Sequence, residues 1–173
     1  STTVSSPWSP QVEDRPQAFV LSNGRLTSVV TGSGAGGLRW HGLALTSYRP
    51  DFTHDEDGIW IYVRDEESKR VWRPTSHHGR TTFAVHKAEY HRRNDGISVH
   101  VEVAVALADD VEVRQITIHN ESDRPRRLTV TSAGEPVLLA PVQAARHPAF
   151  SKLFIETEFV AELDALVVAR RPR

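Results

Sequence analysis

Apolar side chains occupy every second position from Ile97 to Leu107. A period of two along so long a run predicts a β-strand with one face in the core. We expect Val99, Val101, Val103 and Val105 to be the deeply buried positions of this strand.

The next strand-like segment carries a shift in this pattern. Val111 and Val113 are apolar at odd positions, whereas Ile116 and Ile118 are apolar at even positions. One extra residue would bring both pairs onto the same face, and such an insertion is a β-bulge. The sequence therefore predicts a bulge at Arg114–Gln115.

An earlier segment has apolar side chains on both faces of a predicted strand, which is typical of a strand covered on both sides. The two faces are Ile59, Ile61 and Val63 on one side and Trp60, Tyr62 and Arg64 on the other. The aliphatic face fits a sandwich core better, so we expect the aromatic face to pack under another layer or to line a cleft.

Further short strands, separated by turn residues, predict an all-β fold, a large antiparallel β-sandwich. These segments are Arg25–Thr31, Leu43–Thr46, Val71–Trp72, Thr81–His86, Ala88–Arg92, Leu128–Ser132 and Leu166–Ala169. No convincing helical period extends beyond ten residues.

The chain divides into a short first segment and one domain. Residues 1–16 are rich in serine and proline, which predicts a linker or an extended arm, and residues 17–173 form the sandwich. The absence of methionine indicates a piece cut from a longer protein. Whether strands are missing after Leu166–Ala169 or the boundary is tight stays open.

Composition excludes several classes of protein. Lys and Arg total 21 against 22 Asp and Glu, so there is no electrostatic case for nucleic-acid binding. The absence of cysteine excludes disulfides, thiol catalysis and Cys-ligated metals. No apolar run approaches the roughly 18 residues that a membrane helix needs.

The glycine-rich segment Gly32–Gly37 formally matches a dinucleotide-binding pattern. Such a site needs a helix directly after the glycines to hold the pyrophosphate. A second β-like run follows instead, so a close-packed β-turn is the better interpretation.

Other polar clusters do not select a catalytic or metal site. The acidic group of Asp51, Asp55, Glu56 and Asp57 beside His54 matches no calcium loop and is typical of a solvated connection. His77–His78 has no partners at ligand spacing. We therefore predict no catalytic residue, no metal and no cofactor.

The aromatic residues offer the best candidate chemistry. Flat rings stack on the apolar face of a sugar, and neighbouring charged side chains bind its hydroxyls, although core packing between sheets explains the same residues. The candidates for carbohydrate contact are Trp40, Tyr48, Arg49, Trp60, Tyr62, Arg64 and Trp72.

Several separated motifs resemble one family in order along the chain. They are Leu21–Trp40, Leu45–Asp51, Gly58–Ser68, Val71–Pro74, Asp110–Arg114, His119–Asp123 and His147–Phe154. The sequence resembles the β-sandwich domain of cyclic β-1,2-glucan synthases and of cellobiose-phosphorylase-like enzymes, the inverting disaccharide phosphorylases. The sequence motifs match those of the synthases more closely than those of the phosphorylases.

The resemblance implies a super-sandwich fold and an accessory role in a bacterial glycosyltransferase or glycoside phosphorylase. The catalytic acid of such enzymes lies in an α/α toroid, so this segment alone is expected to be non-catalytic. It would help to form the carbohydrate cleft and the domain or subunit interface.

The implied partners are a weakly bound β-glucan oligosaccharide, the toroid of the same chain and a second copy in a homo-oligomer. The implied location is a soluble domain on the cytoplasmic side, with a membrane-embedded parent left open. Ala35 and Gly36–Leu38 depart from the family pattern, which carries an aromatic residue in this loop.

Two alternatives remain. In the first, the chain is a purely structural assembly domain with no ligand. In the second, it is an enzyme that uses carboxylates not recognised in the sequence.

Overall fold

A computed structural model describes residues 7–10, 17–49, 57–75, 78–146 and 152–171. The described residues are mostly strand, with short helical segments between some of the later strands. The first strands are β1 (Ala18–Ser22), β2 (Leu26–Thr31), β3 (Gly36–Trp40), β4 (Leu43–Thr46), β5 (Ile59–Asp65), β6 (Val71–Trp72) and β7 (Arg80–Ala84). The others are β8 (Lys87–Asn94), β9 (Ile97–Val105), β10 (Glu112–Asn120), β11 (Leu128–Gly134), β12 (Pro136–Leu139), β13 (Ile155–Val160) and β14 (Ala165–Arg170), with helix α1 (Pro141–Arg146) after β12 and the 3-10 turn Ala161–Leu163 between β13 and β14.

The strands form antiparallel sheets, as the alternating pattern predicts. A five-stranded sheet has the order β1-β2-β3-β4-β12, and a four-stranded sheet has the order β10-β9-β8-β7. A third sheet, β11-β5-β6, and the hairpin β13-β14 complete the described fold. The all-β, sandwich-type prediction is confirmed.

One apolar cluster joins the three larger sheets. Strand β9 supplies its centre, since Val99, Val101 and Val103 are almost completely buried. Tyr90 of β8 and Val63 of β5 pack in the same cluster. The prediction for this strand is therefore confirmed at its first three valines.

The predicted end of β9 is wrong by two residues. Val105 is only partly buried, and Leu107 is 88% exposed. The strand ends because the chain turns there, and the Ala106 N–H donates to the Val111 carbonyl across the turn at 2.9 Å.

The predicted bulge at Arg114–Gln115 is wrong. Strands β9 and β10 pair without interruption from Glu112 opposite Val105 to Asn120 opposite Ile97. Val113 is 49% exposed, while Ile116 and Ile118 pack against the core from the opposite face of the strand.

Two charged residues occupy the inward positions where the pattern shift suggested an insertion. The Arg114 Nε donates to the Glu112 carboxylate at 2.6 Å, and the side chains are 16% and 6% exposed. Arg114 also donates to the Ile59 carbonyl at 2.6 Å, and the Ser28 hydroxyl donates to Glu112 at 2.5 Å. Mutual pairing lets these charges face inward, so the ladder needs no extra residue.

The glycine-rich segment is the turn between β2 and β3, as predicted. Gly36 has φ +144°, and a Cβ there would lie 1.8 Å from the Val29 carbonyl oxygen. The Gly36 N–H donates to the Asp57 carbonyl at 2.9 Å. Glycine is needed here because the hairpin closes tightly on its own backbone.

The described part of the first segment docks on the sandwich. Trp8 exchanges backbone hydrogen bonds with Phe83 at 3.0 and 2.7 Å, and their rings meet edge to face at 4.9 Å. The remainder of residues 1–16 lies outside the described residues, so the boundary at residue 17 stays a prediction.

The last two strands form a separate hairpin, and the strand predicted at Leu166–Ala169 is present within β14. Arg170 ties the hairpin to β12 by donating to the Val137 carbonyl at 3.0 Å. Among the described helices, none is long and apolar enough to cross a membrane.

Candidate functional site

Two of the aromatic candidates are buried. Trp60 is 8% exposed and Trp72 is 6% exposed, and the Arg73 guanidinium lies 4.4 Å from the Trp60 ring centroid. Trp72 lies opposite Val63 and packs in the main cluster. Neither indole offers a free face to a ligand, so of the two expected arrangements of the aromatic face of β5, Trp60 shows the packed one.

The other two residues on the Trp60 face of β5 belong to a polar surface. Tyr62 is partly buried, and Arg64 is exposed and lies 3.6 Å from the Glu66 carboxylate. A hydrogen bond from Thr129, with help from Lys69, holds the pKa of Glu66 below its usual value. This carboxylate is therefore engaged in local ion pairs.

Tyr48 and Arg49 belong to a pocket on the five-stranded sheet, with a volume of about 200 Å³. Strands β3, β4 and β12, the segment after β4 and helix α1 all contribute lining residues. The lining includes Arg39, Thr46, Tyr48, Arg49, Glu135, Val137, Pro141, Ala144 and Lys152.

A glycine makes room for the pocket's aromatic ring. A Cβ on Gly37 would lie 2.3 Å from the Tyr48 Cβ, so only glycine lets Tyr48 approach β3 this closely. The Thr46 hydroxyl accepts from the Leu38 N–H at 2.9 Å, which fixes β4 against β3. The Ser47 N–H donates to the Glu135 carbonyl at 2.9 Å and holds the start of β12 beside them.

The rim of the pocket is rich in charge. Arg49 donates to Asp57 from its backbone N–H at 2.8 Å and from Nε at 3.2 Å, which orients the exposed guanidinium. Lys152 lies 3.0 Å from the Glu135 carboxylate. These groups offer donors and an acceptor beside the Tyr48 ring.

Sequence reasoning found Tyr48 and Arg49 but missed their neighbours. Arg39, Glu135 and Lys152 lie in separate parts of the chain, and no motif joins them. Pairing of β12 with β4 places Glu135 beside the segment that carries Tyr48, and that pairing has no local sequence signal.

Trp40 lies apart from the pocket, at the end of β3. The residue is 42% exposed, and its indole N–H donates to Asp110 at 2.6 Å. Arg25 donates to the same carboxylate at 2.7 Å.

One cluster among the described residues has metal-ligand geometry, on the outer face of the four-stranded sheet. It consists of Glu89, His100 and Glu102. Lys87 already supplies a cation there, since its ammonium donates to Glu102 and lies 2.7 Å from Glu89. The Glu102 bond raises the pKa of Lys87, and the same bond lowers the pKa of Glu102.

The acidic candidates before Gly58 are described only at Asp57, where the carboxylate binds Arg49. Asp51, His54, Asp55 and Glu56 lie outside the described residues, as does His77.

A family comparison decides what this sandwich is. Residues 3–173 match the model of the glycosyl hydrolase 94 supersandwich domain. The chain belongs to this family. The predicted resemblance is confirmed.

Two relatives show where supersandwich domains of this kind occur. The cyclic beta-(1,2)-glucan synthase NdvB of Rhizobium meliloti (strain 1021) is 34% identical over 168 residues, which covers 93% of this chain and 6% of the synthase. The N,N'-diacetylchitobiose phosphorylase of Vibrio furnissii is 28% identical over 94 residues, which covers 49% of this chain and 12% of the phosphorylase. This supersandwich chain therefore spans a small fraction of the length of either relative.

Proposed function

We propose that this chain is a non-catalytic module of a larger bacterial glycan-active enzyme, and that it helps to form the carbohydrate cleft. The pocket around Tyr48 carries the proposal. It places charged hydrogen-bonding groups beside an aromatic ring and apolar side chains, and small-molecule sites combine apolar surface with a few such polar groups.

The chemistry of the lining suits a neutral sugar. The Tyr48 ring provides an apolar surface for the C–H face of a pyranose. Arg39 and Arg49 can donate to hydroxyl groups, and the Glu135 carboxylate can accept from them. The volume of about 200 Å³ favours one sugar residue of a longer chain.

The names of the relatives suggest the parent activity. One is named as a cyclic beta-(1,2)-glucan synthase and the other as an N,N'-diacetylchitobiose phosphorylase. We propose that the parent is a glycosyltransferase or glycoside phosphorylase whose reaction takes place in a toroid domain of the same chain. A β-glucan oligosaccharide would then contact both domains.

A titration of the isolated ¹⁵N-labelled domain with β-1,2-glucopentaose tests the pocket. We expect amide shifts around Thr46, Arg49 and Val137 and a dissociation constant of about a millimolar, because few contacts must offset the ordering of the sugar. Tyr48→Ala should abolish these shifts. The matched control Tyr62→Ala removes a partly buried tyrosine from another face and should leave them unchanged. Equal loss in both variants, or no shifts in the parent domain, would count against the proposal.

A separate assay tests the absence of catalysis. We expect no sugar or sugar phosphate to be released from a β-1,2- or β-1,4-glucan, with or without phosphate. Steady release that a single Asp or Glu substitution abolishes would overturn the non-catalytic assignment.

The β13–β14 hairpin favours a second candidate function, that of an assembly domain. Phe159 and Leu166 lie directly opposite each other and are 61% and 65% exposed. A two-stranded hairpin is marginally stable alone, so an apolar tip of this kind favours contact with another surface.

Light scattering across a concentration series tests whether that surface is a second copy. Self-association that Phe159→Asp removes and Val85→Asp retains would support assembly, since Val85 is equally exposed at 61%. A monomer at every concentration would exclude self-assembly through this hairpin.

A further inference from the structure

Hydrogen bonds hold two turns together at one end of the sandwich, beside the end of β3. Asn23, between β1 and β2, donates to the Ala106 and Asp109 carbonyls in the β9–β10 turn, both at 2.9 Å. Arg25 donates to the Ala108 carbonyl at 2.8 Å and to Asp110 at 2.7 Å. The two turns therefore form one rigid tip.

Trp40 is fixed at this tip with part of its ring open to solvent. Its indole N–H donates to the Asp110 carboxylate at 2.6 Å, and His41 meets the ring edge to face at 4.7 Å. Trp40 as a whole residue is 42% exposed. Because the indole is already oriented, a ligand that stacks on it has little rotamer entropy to remove.

Charged groups with remaining hydrogen-bonding capacity flank this ring. The side chains of Arg25 and Asp110 are 43% and 30% exposed. The Trp40 bond, with help from Arg25, holds the pKa of Asp110 below its usual value, so the carboxylate is charged at neutral pH. Each carboxylate oxygen has more than one lone pair and can still accept from a hydroxyl.

The same turn adds exposed apolar surface. Leu107 is 88% exposed and Val111 is 48% exposed, and both lie in the segment that carries Asp110. A fixed aromatic ring, an ion pair and an exposed apolar surface together suit a ligand with both C–H faces and hydroxyl groups.

The tip is separate from the Tyr48 pocket. Trp40 pairs with Leu26, whose side chain is buried inside the sandwich, so both point to the same face of the sheet. Residue Arg39 precedes Trp40 on β3, and its side chain projects from the other face, toward the pocket.

We propose that Arg25, Trp40 and Asp110 form a second carbohydrate-contact site, at which one pyranose residue of a glucan stacks on Trp40. The choice of a glucan rests on the proposed function, whereas the site itself rests on this geometry. A long glucan held at two points of one module would bind more tightly than at either point alone.

The indole N–H resonances of the ¹⁵N-labelled domain test the site directly. The chain has four tryptophans, and each gives one such signal. During titration with β-1,2-glucopentaose we expect the Trp40 signal to move, whereas those of buried Trp60 and Trp72 stay in place. In the variants, the backbone amide shifts of Arg25 and Asp110 report binding at the tip: Trp40→Phe should reduce these shifts and Trp40→Ala should abolish them. The signal that Trp40→Phe removes identifies the Trp40 resonance.

Trp8→Phe is the matched control, because Trp8 is similarly exposed at 40% and packs on Phe83 away from the tip. It should leave binding at the tip unchanged. Thermal unfolding of every variant checks that the fold is retained. If Trp40→Ala does not fold, Trp40→Phe tests the site in its place.

The outcomes separate the two sites. If Tyr48→Ala abolishes the pocket shifts but the Trp40 signal still moves, the tip binds independently, as proposed. If only pocket amides respond, the tip proposal is overturned and the pocket stands. If only Trp40 responds, the tip stands and the pocket proposal fails. A Trp40 shift that depends on protein concentration without sugar would assign the tip to protein contact and overturn the proposal.

Discussion

Arg114 and Glu112 form an ion pair on the core-facing side of β10, with 2.6 Å between Nε and the carboxylate oxygen. Arg114 reaches β5 through the Ile59 carbonyl, and Glu112 reaches β2 through the Ser28 hydroxyl. The pair therefore connects strands from three sheets, at the place where the apolar pattern of β10 is interrupted.

Removing one partner of this ion pair should lower the stability of the folded state. We expect Glu112→Leu to lower the free energy of unfolding by about 2–3 kcal/mol, because Arg114 keeps its charge inside without a carboxylate. The double variant Glu112→Leu/Arg114→Leu should regain part of that loss. Urea unfolding of both single variants and the double variant measures the coupling.

An exposed ion pair provides the control for this double-mutant comparison. Arg93 and Glu121 are paired at 2.6 Å with side chains 67% and 38% exposed. Glu121→Gln should change stability by less than about 0.5 kcal/mol. Additive losses at Glu112 and Arg114 would contradict the role of the inward pair.

The register of β9 and β10 gives a second prediction. Val101 is completely buried and pairs with Ile116, whereas Val113 is 49% exposed on the opposite face of β10. Val101→Ala should cost about 1–3 kcal/mol through lost burial and a cavity. Val113→Ala should cost about 0.5 kcal/mol or less. Equal losses in thermal unfolding would show that the observed register is wrong.

The glycine turn between β2 and β3 gives a third prediction. Gly36→Ala should cost more than about 2 kcal/mol, because Gly36 has a positive φ and the new Cβ would meet the Val29 carbonyl. Gly32→Ala places a Cβ 3.2 Å from the Pro10 side chain and should cost about 1 kcal/mol or less. Chemical denaturation compares them, and tolerance of Gly36→Ala would contradict the tight turn.

A fourth prediction concerns acid stability. Hydrogen bonds from Arg126 hold the pKa of buried Asp65 at about 2, below its usual 3.8. The folded state thus favours the charged form, so this stabilisation is complete above about pH 4 and is lost as the pH falls toward 2. Asp65→Asn should unfold more readily at pH 6 and lose less stability between pH 4 and pH 2 than the parent chain.

Urea midpoints at several pH values check this dependence. Val113→Ala changes no carboxylate and should keep the pH slope of the parent chain. An unchanged slope in Asp65→Asn would mean that Asp65 does not contribute to the acid transition.

The candidate site was predictable only in part. Tyr48 and Arg49 stand out because an aromatic residue next to an arginine is visible in the sequence itself. Trp60 and Trp72 look equally suitable in sequence, but Arg73 covers one and the core surrounds the other. Exposure depends on what packs over a ring, and the alternation of a single strand does not contain that information.

The sequence alone determines the features that depend on neighbouring residues. The period of two in β9 sets its buried face, and the glycines between β2 and β3 set a tight turn, because both follow from local backbone geometry. The tertiary structure decides the rest. It turns Glu112 and Arg114 inward because each supplies the other's countercharge, and it forms the Tyr48 pocket because β12 returns to pair with β4. These arrangements join residues far apart in the chain, and their free energy exists only once the sheets have packed.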